Sequence, residues 1–132
     1  MIWVGSLLTH LDVPRWNQFL AVWHELLGPD GVLVITTHGE YVAERMKRGH
    51  LYGYPEPQVK RLLRAYRHAG FGFLEENPAS VDYGISIARP DWVLREVMVH
   101  ADLRLVLATE MLWDSHQDVF AFVRRDFGVP KP

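Results

Sequence analysis

From its first residues the chain alternates short unbroken apolar runs with longer periodic ones. Ile2-Trp3-Val4 reads as a buried strand that begins at once and stops at Gly5-Ser6. After Leu7-Leu8-Thr9-His10-Leu11, Asp12 is placed to cap a helix with Pro14 in its first turn. Trp16, Phe19, Leu20, Trp23, Leu26 and Leu27 recur at three- and four-residue steps. That spacing predicts one wide apolar stripe and an amphipathic helix packed on a sheet. Gly28 suits a left-handed helix stop and Pro29 prevents continuation. In Pro29-Asp30-Gly31, glycine is the residue expected to accept a positive φ. Val32-Leu33-Val34-Ile35 is unbroken and mostly β-branched, which predicts a strand covered on both faces, with helices on each side of a parallel sheet. Strand, helix, strand in this order is a right-handed crossover. Ligands of such sheets lie outside the carboxyl ends of the strands, so Thr36-Thr37-His38-Gly39 is the first place to look for chemistry.

The pattern changes between residues 39 and 89. Residues 40–48 are charged and helical in character. Gly49-His50-Leu51-Tyr52-Gly53-Tyr54-Pro55 is an aromatic, glycine-containing loop. Residues 57–69 predict a helix with Val59, Leu62, Leu63 and Tyr66 on one face and Gly70 as its stop. Phe71-Gly72-Phe73-Leu74 and Tyr83-Gly84-Ile85-Ser86-Ile87 predict two short strands joined around Asn77-Pro78. Residues 39–89 are therefore expected to form an α+β insertion above the sheet edge. Pro90-Asp91 opens a further helix, with Val93, Leu94, Val97, Met98 and Ala101 inward. Leu103, Leu105 and Leu107 alternate with Arg104, Val106 and Ala108. Trp113-Asp114-Ser115-His116 makes a turn, and Val119-Phe120-Ala121-Phe122-Val123 reads as a central strand. The last two strands are expected to form an antiparallel hairpin.

Composition narrows the function classes. A length of 132 residues fits one domain, and 48% hydrophobic residues with five tryptophans argue against disorder. The formal charge of −2, without a basic stripe, argues against a nucleic-acid partner held by phosphate contacts. No cysteine is present, which excludes thiolate chemistry and fits a reducing, cytoplasmic setting. No apolar run approaches the roughly 20 residues that span a bilayer, so no membrane partner is expected.

Three histidines fall at strand ends or in the turn: His10 after the first strand, His38 at the end of the second, His116 in the hairpin. They are expected to share one rim as general bases or substrate hydrogen-bonding groups. Each alternatively caps a loop or bonds a backbone carbonyl. No metal site is expected. Tyr41, Tyr52, Tyr54 and Tyr83 offer flat faces with polar tips for a substrate pocket, or a small local core. Arg61, Arg64 and Arg67 read as a solvated face, and Asp114 and Asp118 as residues that position the turn. A hydrolase built on Ser6 or Ser86 with His38 finds no G-x-S-x-G support.

Four segments in order resemble the C-terminal half of a class I S-adenosylmethionine-dependent methyltransferase. They are Ile2-Trp3-Val4-Gly5-Ser6-Leu7-Leu8-Thr9-His10-Leu11, residues 27–39, Tyr83-Gly84-Ile85-Ser86, and Trp113-Asp114-Ser115-His116-Gln117-Asp118-Val119. The resemblance implies an α/β fold, a partial Rossmann-like sheet of strands four to seven with flanking helices. It places strand seven antiparallel between five and six. It implies methyl transfer to a small molecule, with Gly5 and Ser6 meeting the methionine part of the cofactor. The family's first three strands have no counterpart here, and no G-x-G-x-x-G occurs. A methyltransferase truncated at strand four and inactive alone is expected. The rival reading is a non-catalytic, self-associating fragment or binding module. Without strand one, Ile2-Trp3-Val4 becomes an apolar edge, so a homodimer or higher homo-oligomer is expected.

Overall fold

The computed structural model describes residues 1–77 and 83–125. Strand β1 (Ile2–Val4) leads through a 3-10 turn at Leu8–His10 into helix α1 (Val13–Leu26) and strand β2 (Val32–His38). Asp12 caps α1, its carboxylate accepting from the Arg15 backbone N–H at 3.1 Å. β1 and β2 run parallel, with Trp3 opposite Val34. Helices α2 (Glu40–Lys47) and α3 (Glu56–Ala69) follow, then strands β3 (Phe71–Glu75) and β4 (Gly84–Ala88). Gly70 stops α3 at φ +84, a conformation that glycine adopts without a Cβ clash. β3 and β4 pair antiparallel as a sheet of their own. The connection expected around Asn77-Pro78 runs through residues outside those described. Helix α4 (Pro90–Val97) and the hairpin of β5 (Leu103–Trp113) and β6 (Gln117–Arg124) close the chain.

The main sheet has the order β1-β2-β6-β5, with β6 antiparallel to both neighbours. This is the mixed sheet that the resemblance implied, and the fold class is α/β. Alternation along β2 and β6 divides the sheet's faces. Leu33, Ile35, Phe120 and Phe122 point to one side and form the core with Trp16, Leu20 and Trp23 of α1 and Trp92, Val93 and Val97 of α4. Trp16 is its centre: fully buried, with its indole N–H donating to the Leu8 carbonyl at 3.0 Å and its ring edge-on to Trp92 at 5.0 Å. Truncating such a side chain to alanine costs about 3–5 kcal/mol. A second cluster joins α2, α3, β3 and β4 through Val42, Met46, Leu62, Tyr66, Ile85 and Ile87.

Several local expectations are corrected. Among the described residues β2 meets helices on one face only. Its other face, with Val32 and Val34, carries the buried Val119, Ala121 and Val123 of β6, which belong to neither cluster. Continuous β-branched sequence does not show whether a helix or other side chains cover a face. The stripe on α1 is narrower than its spacing suggested, since Phe19 and Leu26 are exposed. Gly28 does not take the left-handed conformation; Leu27 ends α1 in an extended one. Asp30, at φ +54, supplies the positive φ expected of Gly31. Gly31 is instead required by close approach, because a Cβ there would lie 2.7 Å from the Gly28 carbonyl oxygen. Helix α4 ends at Val97, which leaves Met98 and Ala101 exposed. Along β5 only Leu103 is buried.

Candidate functional site

The carboxyl end of β2 opens into a cavity of about 1040 Å³ between the main sheet and the β3–β4 hairpin. Its floor is tied by a closed ring of hydrogen bonds. β1 ends in a sharp turn in which Ser6 adopts φ +58. The Ser6 backbone N–H donates to Thr36 Oγ1 at 2.8 Å, Thr36 Oγ1 donates to Gln117 Oε1 at 2.6 Å, and Gln117 Nε2 donates to Ser6 Oγ at 2.9 Å. The ring locks the ends of β1, β2 and β6 together. It leaves the Ser6 hydroxyl proton free to donate elsewhere, since Oγ acts in the ring only as acceptor.

His10, His38 and His116 all line this cavity. Each holds its ring through Nδ1 against a backbone carbonyl: His10 on Gly84 at 2.7 Å, His38 on Ser86 at 3.2 Å, His116 on Asp114 at 2.6 Å. A carbonyl oxygen only accepts, so Nδ1 carries the proton in each ring and Nε2 holds the lone pair of the neutral tautomer. The His38 and His116 rings lie 5.5 Å apart, and Tyr83 stacks on His10 at 4.7 Å. His38 is 6% exposed. Burial, and after it the neighbouring His116, draw its imidazole down to about 4, so it is neutral at physiological pH. His38 Nε2 has no partner among the described residues and is not among the sealed polar atoms, so its lone pair faces the cavity.

Tyr52, Tyr54 and Tyr83 also line the cavity, and Ser6 lies in its floor. Gly5 is not part of the lining; a Cβ there would meet the Trp3 indole nitrogen at 3.0 Å. Tyr41 lies apart, in a smaller depression with Glu44 and Arg45, its ring 5.9 Å from the Arg45 guanidinium. Tyr41 is on helix α2, whereas Tyr52 and Tyr54 sit on the loop that turns back over the strand ends. The sequence reading passed over Gln117, whose isolated amide gave no signal. It also passed over Glu75 and Glu76, which look like ordinary hairpin-end charges, and it read Arg61 as solvated.

Asp118, next to Gln117 but facing the opposite side, is 2% exposed. One carboxylate oxygen accepts from the Met111 N–H at 3.2 Å; the other is sealed and unpartnered among the described residues. Burial pushes its carboxyl up to about 6. Among the described residues no three His, Cys, Asp or Glu side chains are placed to hold a metal ion. No described helix is long and apolar enough to cross a membrane.

No protein-family model and no curated protein matches the chain. Among solved structures it is similar to the crystal structure of a SAM-dependent methyltransferase from Methanosarcina mazei, with a TM-score of 0.55 and 11% identity. The likeness is one of fold. It covers 93% of this chain and 57% of that one, so these 132 residues span little more than half of the neighbour's length.

Proposed function

We propose that the cavity is the acceptor side of a methyl-transfer site served by S-adenosylmethionine, with a small molecule as acceptor. The observation that supports it is the placement of His10, His38 and His116 around one cavity at the strand ends of a methyltransferase-like sheet. The residues present fit the methionine end of the cofactor. The turn at Gly5-Ser6 follows β1, and the Ser6 hydroxyl keeps a proton for a carboxylate. The adenosyl end has no glycine-rich loop or acidic ribose partner in these 132 residues. Bound, the cofactor supplies an electrophilic methyl group on a sulfonium. The chain's own groups position the acceptor. His38, neutral and weakly basic, orients it by accepting a hydrogen bond through Nε2. His116, whose Nδ1 side faces the Asp114 carboxylate at 3.8 Å, takes the proton at Nε2.

Without the adenosyl contacts, affinity for the cofactor is low, and the chain alone is a poor catalyst. The test is an NMR titration of the purified chain with S-adenosylmethionine. Weak, saturable shifts at Ser6 and His38 are expected. Shifts confined elsewhere, or none at millimolar cofactor, would remove the reading.

A second reading, self-association without catalysis, is favoured by one observation. Both edges of the main sheet carry exposed apolar side chains, Trp3 on β1 and Val106, Leu112 and Trp113 on β5. A second copy of this chain is the occupant we propose for that surface, since one patch can pair with the same patch of a copy about a two-fold axis. It is compatible with the first reading and tested separately below.

A further inference from the structure

We propose that the ligand taken by this cavity is an amine bound as its ammonium ion, and that the methyl acceptor is therefore a primary or secondary amine rather than an acid. The inference rests on the methyl-transfer reading for its second clause only.

The charge around the cavity carries it. Glu75 and Glu76 at the end of β3 and Asp114 in the hairpin turn line it, against Arg61 as the lining guanidinium. Among the described residues neither glutamate pairs with Arg61 or any other cation within 4.0 Å, so their charge remains available to a ligand. The aromatic lining is of the matching kind. Tyr52, Tyr54 and Tyr83 line the cavity; Tyr83 stacks on His10 and the Tyr52 ring already has the Arg45 guanidinium 5.8 Å from its centroid, a cation of the kind that tyrosine rings attract.

The second, independent feature is His38. It is buried to more than nine tenths, its Nδ1 is committed to Ser86, and its Nε2 lone pair faces the cavity. A buried acceptor with no donor facing it selects a ligand that brings an N–H or O–H, and the carboxylates of the rim favour a cationic N–H among these. A carboxylate or phosphate ligand would meet acceptors and negative charge on most sides. An ammonium meets carboxylates at the rim, tyrosines on the wall and an acceptor at the base.

In transfer, the ammonium first gives one proton to His116 Nε2. The amine nitrogen's lone pair then forms the N–C bond as the methyl C–S bond breaks and sulfur keeps its electron pair. The product is an N-methylated ammonium, and the proton on His116 returns to solvent.

The experiment uses two probes that share a phenol ring and differ in charge, tyramine and 4-hydroxyphenylacetate, titrated against the chain by NMR. Tyramine is expected to bind at least about tenfold more tightly, to shift the His38 ring, and to lose about tenfold in the exposed double variant Glu75→Gln, Glu76→Gln. Equal binding, tighter binding of the acid, or tyramine binding indifferent to the double variant overturns the inference. Tyramine failing while the cofactor still shifts Ser6 and His38 removes the amine and leaves the methyl-transfer reading. Tyramine binding while the cofactor shifts nothing removes that reading and leaves an amine-binding cavity. Competition between tyramine and the cofactor for one position would also overturn the acceptor assignment.

Discussion

The indole of Trp3, on one edge strand of the main sheet, meets the indole of Trp113, on the other edge strand, edge to face with ring centroids 4.9 Å apart. Trp3 stands opposite Val34 and Trp113 opposite Gln117, so both lie on the face away from α1 and α4. The two side chains reach over the intervening strands and take the place of a covering helix. They remain 45% and 40% exposed, so the cover is incomplete.

Association of copies through that face is the first prediction. Light scattering on dilute, tag-free protein is expected to show a dimer or larger species, and Trp3→Lys to shift it toward monomer. The same substitution removes the edge-to-face contact, worth about 0.5–1.5 kcal/mol beyond buried area. A monomeric parent would remove the association, and an unchanged oligomer in Trp3→Lys would remove this face from it.

Gly39 is demanded by Asp118. A Cβ at Gly39 would lie 1.8 Å from Asp118 Oδ2, and the φ there, −110, is not in the left-handed region that favours glycine. Gly39→Ala is expected to destabilise by roughly 1–3 kcal/mol, as overpacking of a buried site does. Adding Asp118→Ala removes the obstacle and is expected to restore much of the loss. Denaturant unfolding of the four-member cycle measures this; strictly additive effects would show that the carboxylate is not what the methyl group meets.

How far the sequence could be read follows from how local each signal is. Asp12, Pro14 and Gly70 mark helix ends by chemistry within a few residues, and the helices begin and end near them. The hairpin of the last two strands was legible because they are close in sequence, while their order, with β6 between β2 and β5, came from the family resemblance and not from any local signal. Which face of β2 lacks a helix was not legible, since Val32-Leu33-Val34-Ile35 suits either case. Asp30 in place of Gly31 at positive φ was missed because an Asp side chain tolerates that conformation through local hydrogen bonding. The ring of Ser6, Thr36 and Gln117 joins residues up to 111 positions apart, and no spacing rule reaches that far. For the same reason the three strand-end histidines were legible, while the carboxylates across the cavity were not.

The loop at residues 49–55 is expected to open before the sheet does. Its turn uses positive φ at Gly49, Tyr52 and Gly53, and the Tyr52 hydroxyl is buried without a partner among the described residues. The Leu51, Tyr52 and Gly53 amides have no acceptor among the described residues, whereas β2 is paired on both sides. Amide exchange is therefore expected to be fast at residues 51–53 and slow at residues 33–35. Equal protection in the two segments would contradict a lid that opens over the cavity.

Two buried groups titrate in opposite senses, and the acid profile of stability follows from both. Burial raises Asp118 to about 6, while an unfolded carboxyl titrates near ~3.9. The folded chain binds the extra proton across that window, so Asp118 favours folding at low pH, and the contribution is lost as pH rises through about 6. His38, drawn down to about 4, is protonated less readily folded than unfolded. Its contribution therefore rises as pH climbs from about 4 to the ~6.5 of a free imidazole. Each shift spans about two units, or roughly 3 kcal/mol, and the signs oppose. The parent's urea midpoint is expected to vary little between about pH 4 and about pH 6.5 on their account. Asp118→Asn exposes the His38 effect: the variant is more stable than the parent at neutral pH and loses stability on acidification. His38→Gln exposes the Asp118 effect, and stability rises on acidification instead. Urea unfolding of the three proteins across this range decides it. Parallel profiles for all three would show that neither group is held as the burial of Asp118 and His38 requires.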